Sequence, residues 1–183
     1  AKSEPIEVLE GIDLNGKTAL VTGGYSGIGL ETTRALSDCG ARVIVPARRR
    51  DVAIKELNGI IGEEDILNLD LADPKSVNKF VEEFLDNGTS LDILINNAAV
   101  MACPQTPTEN GWDSQFAVNH IGHFILSKGL IPSLLKSEDS RVVTLSSTGH
   151  KLTGIRWDDI HFDESYDKWQ SYGQSKTAAS LLP

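Results

Sequence analysis

Three features of this 183-residue chain predict an α/β fold with a doubly wound parallel sheet. Short apolar, β-branched runs alternate with longer segments of helical periodicity, the pattern of strands joined by helical crossovers. Glycines crowd the turn that follows the first run. Polar residues able to do chemistry fall just after later runs, at the strand ends where sheets of this kind bind ligands.

Each element can be justified in chain order. Lys17 to Thr22 (KTALVT) reads as the first strand. Ile28 to Ser37 carries Ile28, Leu30, Ala35 and Leu36 at helical spacing, and Gly40 stops that helix. Val43-Ile44-Val45 is short and β-branched, as a strand buried on both faces should be. A weaker helical segment runs from Asp51 to Ile61, and Ile66 to Leu69 forms the third strand. Asp73-Pro74 is an N-cap followed by proline at the first helical position, opening a helix to about Leu85. Leu91 to Ile95 is the fourth strand. Thr108 to Leu135 reads as helical, in two pieces around Asn119. Arg141 to Leu145 is the fifth strand, and Ser171 is expected to open the terminal helix. The connections between parallel strands are expected to be right-handed.

Composition narrows the function. A net charge of −9 argues against nucleic-acid or anionic-membrane surfaces as partners. Apolar residues make up 40%, enough for one packed domain. Cys39 and Cys103 have neither metal-ligand spacing nor a disulfide framework, which fits a reducing, cytoplasmic setting. The apolar runs are too short to span a bilayer, and the start of the chain lacks an apolar signal region. Residues 1–13 are therefore read as a polar extension and 14–183 as the domain. Four histidines, at 120, 123, 150 and 161, show no metal-binding pattern, so no metal is expected.

Thr22-Gly23-Gly24-Tyr25-Ser26-Gly27-Ile28-Gly29 links the first strand to the first long helix. Glycines there permit a tight turn and let backbone N–H groups approach a pyrophosphate resting on the helix N-terminus. The second strand then ends in Ala47-Arg48-Arg49-Arg50, with no carboxylate to bind a ribose 2′-hydroxyl. Guanidinium groups suit a 2′-phosphate through paired, charge-assisted bonds. NADP(H) is the expected cofactor ahead of NAD, with Arg48 the first candidate and Arg49 the second. A solvated basic turn is the structural alternative.

Tyr172 and Lys176 lie one turn apart on a single helix face. An ammonium so placed favours the phenolate and makes a proton-exchanging phenol available near neutrality. The pattern alone is common, and its weight comes from the motifs before it.

Together, Thr22–Gly29, Asn96-Asn97-Ala98-Ala99, Asn119, Ser146-Ser147 and Tyr172-x3-Lys176 resemble the short-chain dehydrogenase/reductase family of ordinary type, in its order. The stretches Ser147–His150 and Trp157–His161 look most like its retinol-dehydrogenase-like branch. The resemblance implies a Rossmann-like fold and hydride transfer between NADP(H) and an alcohol, aldehyde or ketone, with a hydrophobic or retinoid-like molecule as the family-level expectation. It makes Tyr172 the acid/base and Lys176 its partner and ribose ligand. Ser147 becomes the donor to the substrate oxygen; Ser146 is the competing hydroxyl, since alternation turns only one of the pair to the cleft. Asn119 is expected at a helix irregularity, supporting a water chain to Lys176. Gly23, Tyr25, Ser26, Gly27, Ile28, Gly29, Asp70, Leu71, Asn96 and Ala98 are expected around the cofactor. Asp70 could instead cap a turn, and Asn96 could serve by bridging strands.

Three departures stand out. Ala99 replaces the usual closing glycine of its motif. The interval from Ser147 to Tyr172 is long, and its Trp157, Phe162 and Trp169 are read as packing within an insert that walls the substrate side. The family also continues past the catalytic helix, so the domain is expected to be incomplete at its C-terminus. A non-catalytic nucleotide-binding or scaffold module stays open as the alternative, as does assembly into a homo-oligomer.

Overall fold

The computed structural model describes residues 5–182. Part of the proposed polar extension, residues 1–4, and the final Pro183 lie outside the described residues. Helix α1 (Pro5–Val8) is a single turn within the rest of that extension.

Strands β1 (Thr18–Val21), β2 (Arg42–Ala47), β3 (Ile66–Asn68), β4 (Ile93–Asn96) and β5 (Arg141–Thr144) pair in parallel in the order β3-β2-β1-β4-β5. The crossovers contain α2 (Gly27–Asp38), α3 (Arg50–Glu56), α4 (Pro74–Asp86), and α5 (Ser114–Phe116) with α6 (Gly122–Leu134); α7 (Lys168–Ser180) follows β5. Alternation along the strands builds two cores. Leu20, Ile44 and Leu94 face α4 and α6 with Phe80, Leu126 and Leu130, while Val21, Val43 and Val45 face the other side with Leu36, Ala53 and Leu57. The strand order reverses between β1 and β4, and a cleft opens there at the carboxyl ends of the strands.

The expected elements are present, with shifted boundaries. Thr108 does not start a helix: its N–H goes to Trp112 O at 2.9 Å, and Pro107 bridges Asp113. Asp113 is the real cap, accepting Phe116 N–H at 2.8 Å. The two helical pieces around Asn119 are joined by a π-turn over Ala117–Ile121. Asp167 opens α7 before the expected Ser171, accepting from Trp169 N and Gln170 N. The weaker third helix is short, ending at Glu56 rather than Ile61. In the insert, Phe162 is fully buried beneath the Arg156 guanidinium, 4.6 Å from its ring centroid. Trp157 and Trp169 are not packing residues, being 76% and 48% exposed.

Asp92 fastens the strand starts. It accepts from Thr18 N at 2.9 Å, Lys17 Nζ at 3.0 Å and Ser137 Oγ at 2.7 Å. Burial opposes its charge, yet these donors hold the carboxyl below the ordinary carboxylate range. A depressed carboxylate stabilises the fold above its unfolded value, and that contribution is lost as pH falls through the folded value. Asp92→Asn should therefore lower the unfolding midpoint at pH 7, and the gap from the unsubstituted protein should close below about pH 4 in a pH series of denaturant titrations.

Gly122 lets α6 lie against the turn after β3, because an added Cβ would sit 2.3 Å from Leu71 O. Gly122→Ala is expected to cost roughly 1–3 kcal/mol, several degrees in Tm. Gly154, with nothing within 4 Å, should accept alanine without such a loss in the same calorimetric experiment.

Candidate active site

Close approach shapes the glycine turn. Gly23 has φ +64°, and a Cβ there would press on Ala98 Cα at 3.0 Å. A Cβ on Gly29 would lie 2.3 Å from Gly23 O and 2.4 Å from Asn97 Nδ2. Gly27, at φ +53°, turns the chain into α2 without lining the cleft. The Ser26 hydroxyl makes no capping bond, so no side chain of the cap occupies the first N–H groups of α2. That combination fits a pyrophosphate.

The cleft measures about 330 Å³. It is lined by Gly23, Tyr25, Ser26, Ile28 and Gly29 after β1, by Arg48 after β2, by Asp70 and Leu71 after β3, and by Asn97, Ala98 and Val100 after β4. Arg48 is exposed where β2 ends. Arg49 is the residue preceding α3 and does not line the cleft. Arg50 is committed elsewhere, donating to Ile66 O at 2.8 Å and Glu63 O at 2.9 Å. Asp70 makes the turn bond, Oδ1 accepting from Ala72 N–H at 2.9 Å, and the residue also lines the cleft.

Asn96 turns away from the cleft. Its Nδ2 donates to Ser127 Oγ at 2.9 Å and Thr144 Oγ1 at 3.2 Å, tying β4 to α6 and β5. Asn97 takes the cleft-lining place, with Nδ2 donating to Thr22 O at 2.8 Å. Strand alternation across the Asn96-Asn97 pair carried that signal. The Thr22 hydroxyl accepts from Asn97 N at 2.9 Å and Ala98 N at 3.0 Å, a role the sequence reading missed.

The cleft reaches Val100 and Val118, adjoining the π-turn. Asn119 is 2% exposed and its amide is fully engaged. Oδ1 accepts from Val100 N; Nδ2 donates to Val100 O and to Ser175 Oγ, each at 2.9 Å. Ser175 Oγ in turn donates to Tyr172 O at 2.7 Å. Asn119 thus joins the loop after β4 to α7 through direct bonds.

On α7, Lys176 Nζ lies 5.9 Å from the Tyr172 ring centroid and donates to Leu145 O at 2.9 Å, at the carboxyl end of β5. Burial pushes the Lys176 pKa down. Ser146 faces α7, donating to Lys176 O and meeting Ser180 Oγ at 2.7 Å. Ser147 faces the other way, accepting from Gly149 N at 3.1 Å. Gly149 lies against both candidate groups: a Cβ built there would be 2.8 Å from Tyr172 Cε1 and 3.5 Å from Ser147 Oγ. A phenol, an ammonium and a hydroxyl therefore gather at the carboxyl end of β5, on the same edge of the parallel sheet as the cleft. Behind them, Gln115 is wholly buried and accepts from Ala102 N at 2.8 Å while donating to Ser171 Oγ at 2.9 Å.

No helix among the described residues is long and apolar enough to cross a membrane. No group of three or more His, Cys, Asp or Glu side chains among them is arranged to hold a metal ion.

Comparison with known proteins agrees with this geometry. The family model described as short chain dehydrogenase matches residues 17–158. Retinol dehydrogenase 12 of Bos taurus is 41% identical over 176 residues, covering 93% of this chain and 56% of that protein. A crystal structure of a Mycobacterium paratuberculosis protein aligns with a TM-score of 0.82 and 37% identity, over 92% of this chain and 60% of that one. A short chain dehydrogenase from Escherichia coli CFT073, complexed with NADPH, aligns with a TM-score of 0.72 and 26% identity, over 92% and 69%. The chain spans 55% to 59% of the length of the curated relatives it matches. The matched family model, the five-stranded parallel sheet and the cleft at its switch point agree, and the chain belongs to the short chain dehydrogenase family.

Proposed function

We propose that this chain carries the cofactor cleft and acid/base group of an NADP(H)-dependent oxidoreductase acting on an alcohol/carbonyl pair. The carrying observation is the grouping of Ser147, Tyr172 and Lys176 at the carboxyl end of β5, on the same edge of the sheet as a cleft that Arg48 borders. When bound, the nicotinamide supplies or accepts a hydride at the substrate carbon.

In the reductive direction, the Tyr172 hydroxyl donates its proton to the carbonyl oxygen as that oxygen gains charge. The Ser147 hydroxyl donates a hydrogen bond to the same oxygen, where an aimed donor is most effective. Lys176 keeps a cationic head near the phenol and is held by Leu145 O. Oxidation reverses each transfer, with Tyr172 taking the alcohol proton. Asn119 acts as a positioning residue, fixing Val100 and Ser175.

Arg48 supports NADP(H), since no carboxylate stands at the end of β2 and Arg48 borders the cleft. The NADPH in the Escherichia coli relative is consistent with that choice. A hydrophobic, retinoid-like alcohol or aldehyde is the substrate class we assign, supported by the similarity to retinol dehydrogenase 12. A cytoplasmic setting belongs to the same reading, supported by the free thiols of Cys39 and Cys103.

Tyr172→Phe should lower kcat by about 10²- to 10⁴-fold in NADPH oxidation against a panel of aldehydes and ketones. NADPH should still quench or shift protein fluorescence. Turnover that survives the change would refute the acid/base assignment. Nucleotide binding with no turnover by the unsubstituted protein would favour a non-catalytic module.

Arg48→Ala should raise the NADPH Kd by roughly tenfold or more through loss of charge-assisted bonds, with the NADH Kd little changed. Equal discrimination before and after the substitution, read by calorimetric titration, would remove Arg48 from the 2′-phosphate site.

A further inference from the structure

His123 is 1% exposed and does not line the cleft, yet it stands between the cleft and the catalytic helix. Its Nε2 lies 2.8 Å from Thr22 Oγ1, and its Nδ1 lies 3.3 Å from Asn119 O. Hydrogen-bond accounting settles which nitrogen carries the proton. A threonine hydroxyl has one hydrogen and two lone pairs. Thr22 Oγ1 already accepts from Asn97 N and Ala98 N, so its hydrogen must be given away. His123 Nε2 at 2.8 Å is the nearer acceptor; Ile95 O lies at 3.3 Å. Nε2 is therefore the bare nitrogen, and Nδ1–H donates to Asn119 O.

We propose that His123, as its neutral Nδ1–H tautomer, is a positioning residue that couples the Thr22 turn of the cofactor cleft to the Asn119 π-turn. Dinucleotide affinity then depends on a side chain that lines neither the cleft nor the catalytic end. The route is continuous. Thr22 orders the Asn97-Ala98 wall, His123 joins Thr22 to Asn119, and Asn119 reaches Ser175, whose hydroxyl bonds the Tyr172 carbonyl. The neutral state is sustained by burial, which takes the His123 pKa down to about 4 although the bond to Asn119 O opposes the shift. Lys176 and His120, the ionisable groups that act on it, further disfavour a second positive charge.

The proposal rests on the dinucleotide reading of the cleft, and two measurements separate them. First, ¹⁵N spectra of the cofactor-free protein with labelled histidine, at neutral pH, should show His123 as the neutral Nδ1–H tautomer. An Nε2–H tautomer or an imidazolium overturns the proposal. Second, two variants divide the bonds. His123→Gln can keep an acceptor towards Thr22, whereas His123→Asn keeps only the donor towards Asn119. His123→Asn should raise the Kd of NADPH, or of NADH if that is the nucleotide bound, by about tenfold, with His123→Gln staying within about threefold of the unsubstituted protein. Adding His123→Asn to Thr22→Val should change the Kd less than about twofold, since the bond is already gone. Equal Kd values for the Gln and Asn variants mean that His123 only fills space, and the proposal falls. If the unsubstituted protein binds neither dinucleotide, the function reading fails, and the tautomer alone then decides the role of His123.

Discussion

One buried hydroxyl holds the strand ends together. Thr22 follows β1, is 1% exposed, and takes hydrogen bonds from two consecutive backbone N–H groups just after β4. In a parallel sheet the ladder ends where β1 and β4 part, and the amides beyond that point need other partners. An unpaired buried amide costs on the order of 1–3 kcal/mol, so a side chain that serves two of them fixes the course of the chain. Gly23 and Gly29 can then pack against the Asn97-Ala98 segment at distances that leave little room for a Cβ. The narrow cleft results from that contact.

The second half of the site depends on an unusually polar contact. The inner face of α7 carries Ser171, Gln174, Ser175 and Lys176, all 4% exposed or less. An apolar helix face could slide or rotate at modest cost, but a polar one is held to the register in which every group has a partner. Ser171 donates to Asp113 Oδ1 at 2.8 Å, and Gln174 donates to Ile160 O at 2.7 Å and accepts from Arg156 N at 2.8 Å. Burial pushes the Asp113 carboxyl up, while Phe116 N–H and the Ser171 hydroxyl oppose that shift. The insert between β5 and α7 is thereby part of the frame that holds α7, and Tyr172 on it, in place.

Legibility in the sequence followed the range of the interactions. The strands, the glycine turn and the break near Asn119 rest on local periodicity and local chain geometry, and the structure contains them. Helix starts were harder, because Thr108 and Asp113 are both able to cap. The bridge from Pro107 to Asp113 decides between them, and it is a tertiary feature. Asp167 outcompetes Ser171 for a similar reason: Ser171 is drawn into the buried contact with Asp113. Trp157 looked like core by composition and is exposed, since the insert folds around Phe162 instead. Among the site residues, Asn96 takes its strand-bridging alternative while Asn97, given no role from sequence, lines the cleft, and Thr22 was invisible because a threonine ending a strand is ordinary. Contacts across 75 residues, such as Asn97 N to Thr22 Oγ1, leave no periodic trace.

The central claim is that hydride transfer and proton transfer occur at one place, beside Tyr172 and Ser147. It is tested most directly by isotope tracing in H₂O, with NADPH deuterated at the transferable nicotinamide position and a hydrophobic aldehyde as acceptor. Mass spectrometry should find one deuterium on the carbinol carbon of the product, formed by the unsubstituted protein and not by the Tyr172→Phe variant. Product with no deuterium on that carbon, or equal labelled product from both proteins, would contradict the account.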